Sequence, residues 1–166
     1  THHHADHVGA NLELKKKYNS RILGSNSDKN RIPGIDILLK ENQKQKIGNL
    51  EFEVIFIPGH TKGHIAFFFN KEKVAFTGDT LFSLGCGRVF EGTYEQMHNS
   101  LSILKALPKN TKIYCGHEYT ESNLKFAKAV EPLNQNVNSR YNETLELRKK
   151  GIPTLPSTLE LELNTN

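Results

Sequence analysis

The sequence predicts an α/β (α+β) protein whose strands deliver metal-binding side chains to one site. Short apolar runs typical of strands are interspersed with amphipathic segments typical of helices. Three predicted strands stop at a small residue or glycine followed by His60, Asp79 or His117. The chain also opens with His-x-His-x-Asp-His over residues 2–7. Side chains beyond the carboxyl ends of neighbouring strands converge on one crevice, so we expect a single shared site.

Composition fits one domain, or one domain with a small appendage: 166 residues, of which 36% are hydrophobic and 24% charged. No apolar run is long enough to span a membrane, and no secretory signal is visible. The two cysteines are too few for a disulfide framework and fit a reducing compartment. A net charge of +4 permits anionic substrates or nucleic acid, but no basic stripe is interleaved with aromatic residues. We expect a cytoplasmic monomer, with mitochondria as the alternative location, that binds neither membrane nor nucleic acid.

The opening motif predicts a cluster of ligands. His2 and His4 lie two residues apart, so on an extended backbone they point to the same face. Asp6 suits a helix N-cap, and His7 then falls in the first helical turn. His3 points away and is predicted not to be a ligand. A histidine run at position 1 can also be the remnant of an expression tag, but a tag is not expected to continue into an amphipathic helix.

The first half of the chain predicts one helix and four strands. The helix covers residues 5–18, because apolar residues recur along it and three lysines favour its C-terminal end. Short apolar runs predict strands at 21–24, 36–39 and 45–47, the last two as edge strands around a polar turn. Residues 50–57 alternate between apolar and polar, and the final residues are apolar on both faces.

The second half predicts a hairpin, a helix, a strand and two further helices. The hairpin strands are apolar runs separated by Asn-Lys-Glu, and the first of these helices carries apolar residues near one face. A glycine after the last helix marks its end. In chain order these elements cover residues 65–69 and 73–76, 93–106, 112–115, 122–130 and 142–150.

Five imidazoles and two carboxylates are expected to share the site. Both groups suit Zn²⁺, and iron or manganese accepts the same set. A tetrahedral zinc takes three or four protein ligands, so seven divide over two cations. Asp79 is the best bridge because a carboxylate offers two oxygens. The expected ligands are His2, His4, Asp6, His7, His60, Asp79 and His117.

Four other residues receive different predictions. His64 follows His60 by four residues and is expected to support a ligand or fill the core. His98 is predicted to lie on the surface of a helix. Cys86 is predicted to occupy a tight turn, and Cys115 to fill buried space in its strand.

Five motifs carry a resemblance to a known family. They are Thr-His-His-His-Ala-Asp-His (1–7), Pro-Gly-His-Thr-Lys-Gly-His (58–64), Phe-Thr-Gly-Asp-Thr-Leu-Phe (76–82), Gly-Cys-Gly-Arg-Val-Phe-Glu-Gly-Thr (85–93) and Cys-Gly-His-Glu-Tyr-Thr (115–120). Together they resemble the metallo-β-lactamase superfamily, and the last two resemble its glyoxalase II (hydroxyacylglutathione hydrolase) branch. The resemblance implies an αββα sandwich with a metallo-β-lactamase-like domain at 1–118 and a small C-terminal helical substrate-binding region at 119–166. Family members have strands and a helix before the opening motif, so we expect the N-terminal part of the sandwich to be absent from this chain.

The resemblance also implies a chemistry. The family hydrolyses the thioester of S-(2-hydroxyacyl)glutathione, typically S-D-lactoylglutathione, to D-lactate and glutathione in methylglyoxal detoxification. Asp6 and Asp79 would assist a hydroxide that bridges the two cations. The first cation would be held by His2, His4, His60 and Asp79. The second would be held by Asp6, His7, Asp79 and His117. Substrate contacts would come from Arg88, Phe90, Tyr119, Arg148 and Lys150.

Two alternative functions stay open. One is a mono-iron persulfide dioxygenase of the same superfamily, which would use only the first ligand set; the glycine-rich loop at 85–93 argues against it. The other is a nucleic-acid-processing or nucleic-acid-binding protein on the same fold. The chain lacks a large domain inserted between its ligand motifs, which argues against that reading.

Overall fold

The computed structural model describes residues 1–166 and is built around a six-stranded mixed sheet. In chain order the strands are β1 (Leu23–Ser25), β2 (Ile37–Leu39), β3 (Lys44–Ile47), β4 (Leu50–Phe56), β5 (Ile65–Phe69), β6 (Val74–Gly78), β7 (Leu81–Phe82), β8 (Gly85–Cys86), β9 (Lys112–Cys115) and β10 (Ser157–Thr158). The helices are α1 (Ala5–Val8), α2 (Asn11–Tyr18), α3 (Tyr94–Lys105), α4 (Thr120–Val130), α5 (Gln135–Lys149) and α6 (Leu159–Thr165), with a 3₁₀ turn at Asn26–Asp28. No helix is both long and apolar enough to cross a membrane.

The central sheet has the strand order β10-β9-β6-β5-β4-β3. Strands β3 to β6 pair antiparallel with their chain neighbours, whereas β6 pairs parallel with β9. A parallel pair needs a long crossover, and α3 lies within it. The strands predicted at 65–69 and 112–115 are confirmed with the same bounds, and the strand predicted at 50–57 ends one residue earlier.

Apolar side chains pack on both faces of this sheet. On one face, Leu104 of α3 and Leu159 of α6 are fully buried against Ile55 and Ile113 of the sheet. Full burial of such a side chain contributes about 1.5–3 kcal/mol. The opposite face carries a second cluster centred on Phe52. Packing on both faces thus fixes the sheet whose strands lead to the predicted ligands.

Helix ends follow from local capping. Thr93 and Gln96 form a reciprocal capping box at the start of α3: the Gln96 N–H donates to Thr93 Oγ1, and the Thr93 N–H donates to Gln96 Oε1. Asn134 caps α5 by accepting from the backbone N–H groups of Asn136 and Val137. Helix α5 therefore begins at Gln135, seven residues before the predicted start.

One other prediction of local structure is wrong. The helix predicted at 5–18 is broken at Gly9 and Ala10 into α1 and α2, consistent with the low helix propensity of glycine. The edge strands predicted at 36–39 and 45–47 are present as β2 and β3: β2 pairs parallel with β1, and β3 pairs with β4 at the edge of the central sheet.

Candidate metal centre

The seven predicted ligands lie together at one end of the sheet. The opening segment is anchored beside β5, because the Ile65 N–H donates to the Thr1 carbonyl at 3.0 Å. His4 is the extended residue before α1, and Asp6 and His7 lie in that helix. His60, Asp79 and His117 follow the ends of β4, β6 and β9. Their side chains form three overlapping groups whose ligand atoms lie within 4.8 Å of one another: His2, His4 and His60; His2, His7 and Asp79; Asp6, His7 and His117.

The first group surrounds a point between the opening segment and the loop after β4. His4 Nδ1 lies 3.1 Å from His60 Nε2. His60 Nε2 lies 3.6 Å from Asp79 Oδ2. His2 Nε2 is buried beside them and has no hydrogen-bond partner. A buried polar atom without a partner is costly, so this nitrogen fits a cation ligand.

The second group surrounds a neighbouring point. His117 Nε2 lies 3.3 Å from three atoms: His7 Nε2, Asp6 Oδ2 and Asp79 Oδ2. Asp79 Oδ1 lies 3.3 Å from His7 Nε2 and is also buried without a hydrogen bond. Asp79 thus faces both groups, as a bridging carboxylate must.

These separations fit coordinated divalent cations. Zinc–ligand bonds of 2.0–2.1 Å in a tetrahedron place neighbouring ligand atoms about 3.3 Å apart. The pairs of ligand atoms given above, which do not include His2, are 3.1–3.6 Å apart. Burial lowers the pKa of His2, His4 and His7, which keeps these imidazoles neutral and able to bind a cation.

A surrounding layer orients the ligands. His60 Nδ1 donates to the Arg88 carbonyl at 2.7 Å, which leaves the Nε2 lone pair free. The Asp79 backbone N–H donates to His64 Nε2 at 3.0 Å, and the His64 ring stacks on His2 with centroids 4.6 Å apart. Burial holds the pKa of His64 well below its usual value. His64 therefore supports the ligands without joining them, as expected.

Two glycines make room for the centre. A Cβ at Gly116 would lie 2.3 Å from Asp79 Oδ1 and 2.9 Å from His7 Cε1. A Cβ at Gly87 would lie 1.8 Å from the Asp79 carbonyl oxygen. Any side chain at either position would displace Asp79.

The centre opens into a cavity of about 610 Å³, within the usual range for small-molecule sites. Three of the predicted substrate contacts, Arg88, Phe90 and Tyr119, lie in its wall. The Tyr119 ring stacks on His117 with centroids 5.0 Å apart, and the Phe90 ring lies 5.2 Å from His60. The wall also contains Phe82, Cys86, Gly87, Ser122 and Asn123.

Sequence reasoning missed Ser122 and Asn123. Both lie in the first turns of α4, directly after Tyr119. Their position in the sequence, a few residues after the last ligand motif, could have predicted them. A helix that begins at a site places the residues of its first turn next to that site.

The structure does not bring Arg148 and Lys150 into the cavity. Arg148 lies near the end of α5, where its guanidinium donates to the Ile152 carbonyl at 3.2 Å and lies 4.0 Å from Glu118. Lys150 follows α5 and is exposed. Hydrogen bonds from Thr154 lower the pKa of Glu118 despite its partial burial, so this carboxylate is charged beside Arg148.

Three further placements concern the opening helix and the cysteines. The expectation that Asp6 is an N-cap is wrong: His4 occupies that position, and Asp6 lies in the first turn with its carboxylate toward His117. Cys86 lies in β8 and not in a tight turn. Cys115 is half-buried, and its thiol donates to the His117 carbonyl.

The predicted non-ligands behave as expected. His3 turns away from the centre, with its Nδ1 3.4 Å from Asp28 Oδ2 and its Nε2 3.2 Å from the Arg31 guanidinium. His98 is exposed on α3.

The fold is that of the metallo-β-lactamase superfamily, whose family model matches residues 1–117. Residues 118–166 match the model described as the hydroxyacylglutathione hydrolase C-terminus. Over its whole length the chain is 53% identical to a hydroxyacylglutathione hydrolase of Pelagibacter ubique and 49% identical to one of Methylococcus capsulatus. It spans 70% of the first relative and 65% of the second. The chain belongs to the hydroxyacylglutathione hydrolase family.

Solved structures agree on the fold. ETHE1 from Myxococcus xanthus is 34% identical with a TM-score of 0.64, over 72% of this chain and 52% of that one. A di-iron-bound form of TTHA1623 is 29% identical with a TM-score of 0.58, over 70% of this chain and 67% of that one. The BLEG-1 B3 metallo-β-lactamase is 26% identical with a TM-score of 0.64, over 70% of this chain and 66% of that one.

Proposed function

We propose that this chain carries the active site of a dinuclear-metal thioester hydrolase. Its substrate would be an S-(2-hydroxyacyl)glutathione such as S-D-lactoylglutathione, cleaved to D-lactate and glutathione in methylglyoxal detoxification. The observation that carries the proposal is Asp79, which faces two groups of imidazoles at the base of one cavity. The names of the relatives support the choice of substrate.

Two divalent cations would divide the ligands between them. Superfamily membership implies divalent metal binding. Zinc suits the imidazole-rich set, and iron is the next candidate because TTHA1623 binds two iron ions. We assign His2, His4, His60 and Asp79 to the first cation. We assign Asp6, His7, Asp79 and His117 to the second.

The chain's own residues would prepare the nucleophile. When bound, the cations would supply a nucleophile at neutral pH, because a catalytic zinc ion brings the pKa of its water to about 7. The Asp6 side chain is 58% exposed and lies 3.3 Å from His117, so its free oxygen can accept a hydrogen bond from an attacking water. Asp79 is buried at the base of the cavity, where it would hold both cations.

The cavity wall would hold the glutathione part. Arg88 presents a planar guanidinium that matches a carboxylate in two-point hydrogen bonding. Tyr119 is 50% exposed, so its hydroxyl can reach a peptide group of the substrate. Phe90 lacks a hydroxyl and would offer an apolar surface. Glutathione thiolate is a stable leaving group and needs no strong general acid.

The decisive experiment combines turnover with metal content. Purified protein should release thiol from S-D-lactoylglutathione and hold two metal ions per chain, measured with a thiol reagent and by elemental analysis. Asp79→Ala should lose both turnover and metal because it removes the shared ligand. A normal kcat in Asp79→Ala would refute the bridging role.

The same measurements separate the alternatives. A persulfide dioxygenase would hold one iron per chain and consume oxygen with a glutathione persulfide. A nucleic-acid protein would show salt-dependent RNA binding without thioester hydrolysis. Either result would replace the proposed function.

A further inference from the structure

A buried ion pair lies behind the cavity wall, outside the ligand set. Arg140 of α5 and Glu162 of α6 are 5% and 3% exposed, and Arg140 Nη2 donates to Glu162 Oε1 at 2.5 Å. Pairing alone seldom repays the desolvation of two buried charges, and apolar residues of similar size often do as well. The pair therefore calls for an explanation in terms of what else it binds.

Both charged groups also bind the turn that connects β7 and β8. Arg140 Nη2 donates to Ser83 Oγ at 2.6 Å. The Leu84 N–H donates to Glu162 Oε2 at 2.8 Å. Ser83 and Leu84 are the two residues between the paired strands Leu81–Phe82 and Gly85–Cys86. The ion pair thus holds the turn through these two hydrogen bonds.

The turn needs such support. Leu84 has φ +60°, a left-handed backbone conformation that residues other than glycine, asparagine and aspartate seldom adopt. Such a conformation persists only where its surroundings impose it. The Leu84 side chain is buried with Leu124 of α4 and Val137 of α5, so packing and the Glu162 hydrogen bond act together.

The hairpin held in this way forms part of the cavity wall. Phe82 and Cys86 line the cavity on its two strands. Asn123, also in the wall, donates to the Ser83 carbonyl at 2.9 Å. A shift of the turn would therefore move Phe82 and Cys86 in the substrate-facing wall, whereas the seven predicted ligands lie outside residues 81–86.

We propose that Arg140 and Glu162 are positioning residues that set the place of the hairpin at 81–86, and through it the affinity for substrate. The pair acts on the wall and leaves the cation ligands in place. The effect on substrate rests on the proposed function, but the effect on the hairpin does not.

The test uses the metal-loaded protein and removes the pair as a unit. The double variant Arg140→Met/Glu162→Leu avoids leaving one charge buried alone. We expect KM to rise about tenfold and kcat to stay within about twofold, because the wall moves and the reacting centre does not. Metal content should stay at two ions per chain. Cys86 is exposed, but partial burial of its surroundings raises the pKa of its thiol. Its alkylation, followed by peptide mass spectrometry, should become about tenfold faster as the hairpin loosens, because greater hydration favours the reactive thiolate.

Two single variants make the test independent of folding of the double variant. Glu162→Gln keeps an oxygen for the Leu84 N–H but leaves the Arg140 charge without its carboxylate, so it should lower Tm as well as raise KM. Ser83→Ala removes only the Arg140 contact and should give an intermediate KM. Ile55→Ala, in the core of the sheet, is the matched control: it should lower Tm but leave KM and Cys86 alkylation unchanged.

Two results would overturn the inference. One is a wild-type KM and a wild-type Cys86 alkylation rate in all three pair variants. The other is a loss of kcat and metal with KM unchanged, which would place the effect at the centre. If the wild-type protein hydrolyses no thioester, the proposed function fails, and Cys86 alkylation alone decides whether the pair holds the hairpin.

Discussion

Gly116→Ala should disable the metal centre by adding a single methyl group. The new Cβ would lie 2.3 Å from Asp79 Oδ1, whereas ordinary contact begins at 3.4 Å. The carboxylate must therefore retreat by about 1 Å, and a misplacement of that size costs about 100-fold in rate. A 100-fold loss corresponds to about 2.7 kcal/mol of transition-state stabilisation.

The assay is kcat/KM for S-D-lactoylglutathione together with metal content and the Tm of the metal-free protein. We expect kcat/KM to fall at least about 100-fold and metal content to drop below two ions per chain. The metal-free Tm should fall only modestly, because Gly116 does not have a positive φ and the clash falls on the side chains of Asp79 and His7. Gly48→Ala is the control: it meets nothing within 4 Å and should keep full activity, despite a stability cost from its φ of +59°. Full activity and two bound ions in Gly116→Ala would refute the steric argument.

Three further predictions follow from contacts of the wall and its surroundings. Arg88→Ala should raise KM with little change in kcat, because Arg88 lines the cavity. Arg148→Ala should raise KM less, because Arg148 faces Glu118 and not the cavity. Steady-state kinetics of both variants measure the two KM values. A hydrogen bond from Arg31 lowers the pKa of Glu91 to about 2. The charged Glu91 thus stabilises the fold above pH 4.5, the usual pKa of the group, and this contribution is lost as pH falls toward 2. Over that range the urea midpoint of the metal-free protein should drop more for the wild type than for Glu91→Gln. Equal drops would contradict the pairing. Chelation should lower Tm because cations bind only the folded centre, and added zinc should restore it.

The grouping of the seven candidate ligands could be predicted from the sequence because each lies in a strong local signal. His60, Asp79 and His117 each follow a strand end, and the spacing of the opening histidines depends only on backbone geometry. The split of the long N-terminal helix is a different case. Gly9 costs only about 1 kcal/mol in a helix, and so small a preference does not decide a break in advance.

The partners of the supporting residues could not be predicted because the contacts join distant parts of the chain. A supporting role for His64 is expected from its place after His60, but its partner, the Asp79 N–H, lies 15 residues away. Arg140 reaches Ser83 across 57 residues. In sequence, Arg140 and Glu162 are two charged residues on polar helices and are indistinguishable from solvated ones. Only the packing of α5 and α6 against the hairpin buries them.

The parallel pair of β6 and β9 in the central sheet separates the residues that place the metal centre from those that contact the substrate. Backbone hydrogen bonds between β6 and β9 fix the starting points of Asp79 and His117 side by side. The segment between those two residues, including the loop with Arg88 and Phe90, can vary without moving them. Exchanging residues 88–92 between relatives should therefore change which thioester is bound, while the mechanism of cleavage stays the same.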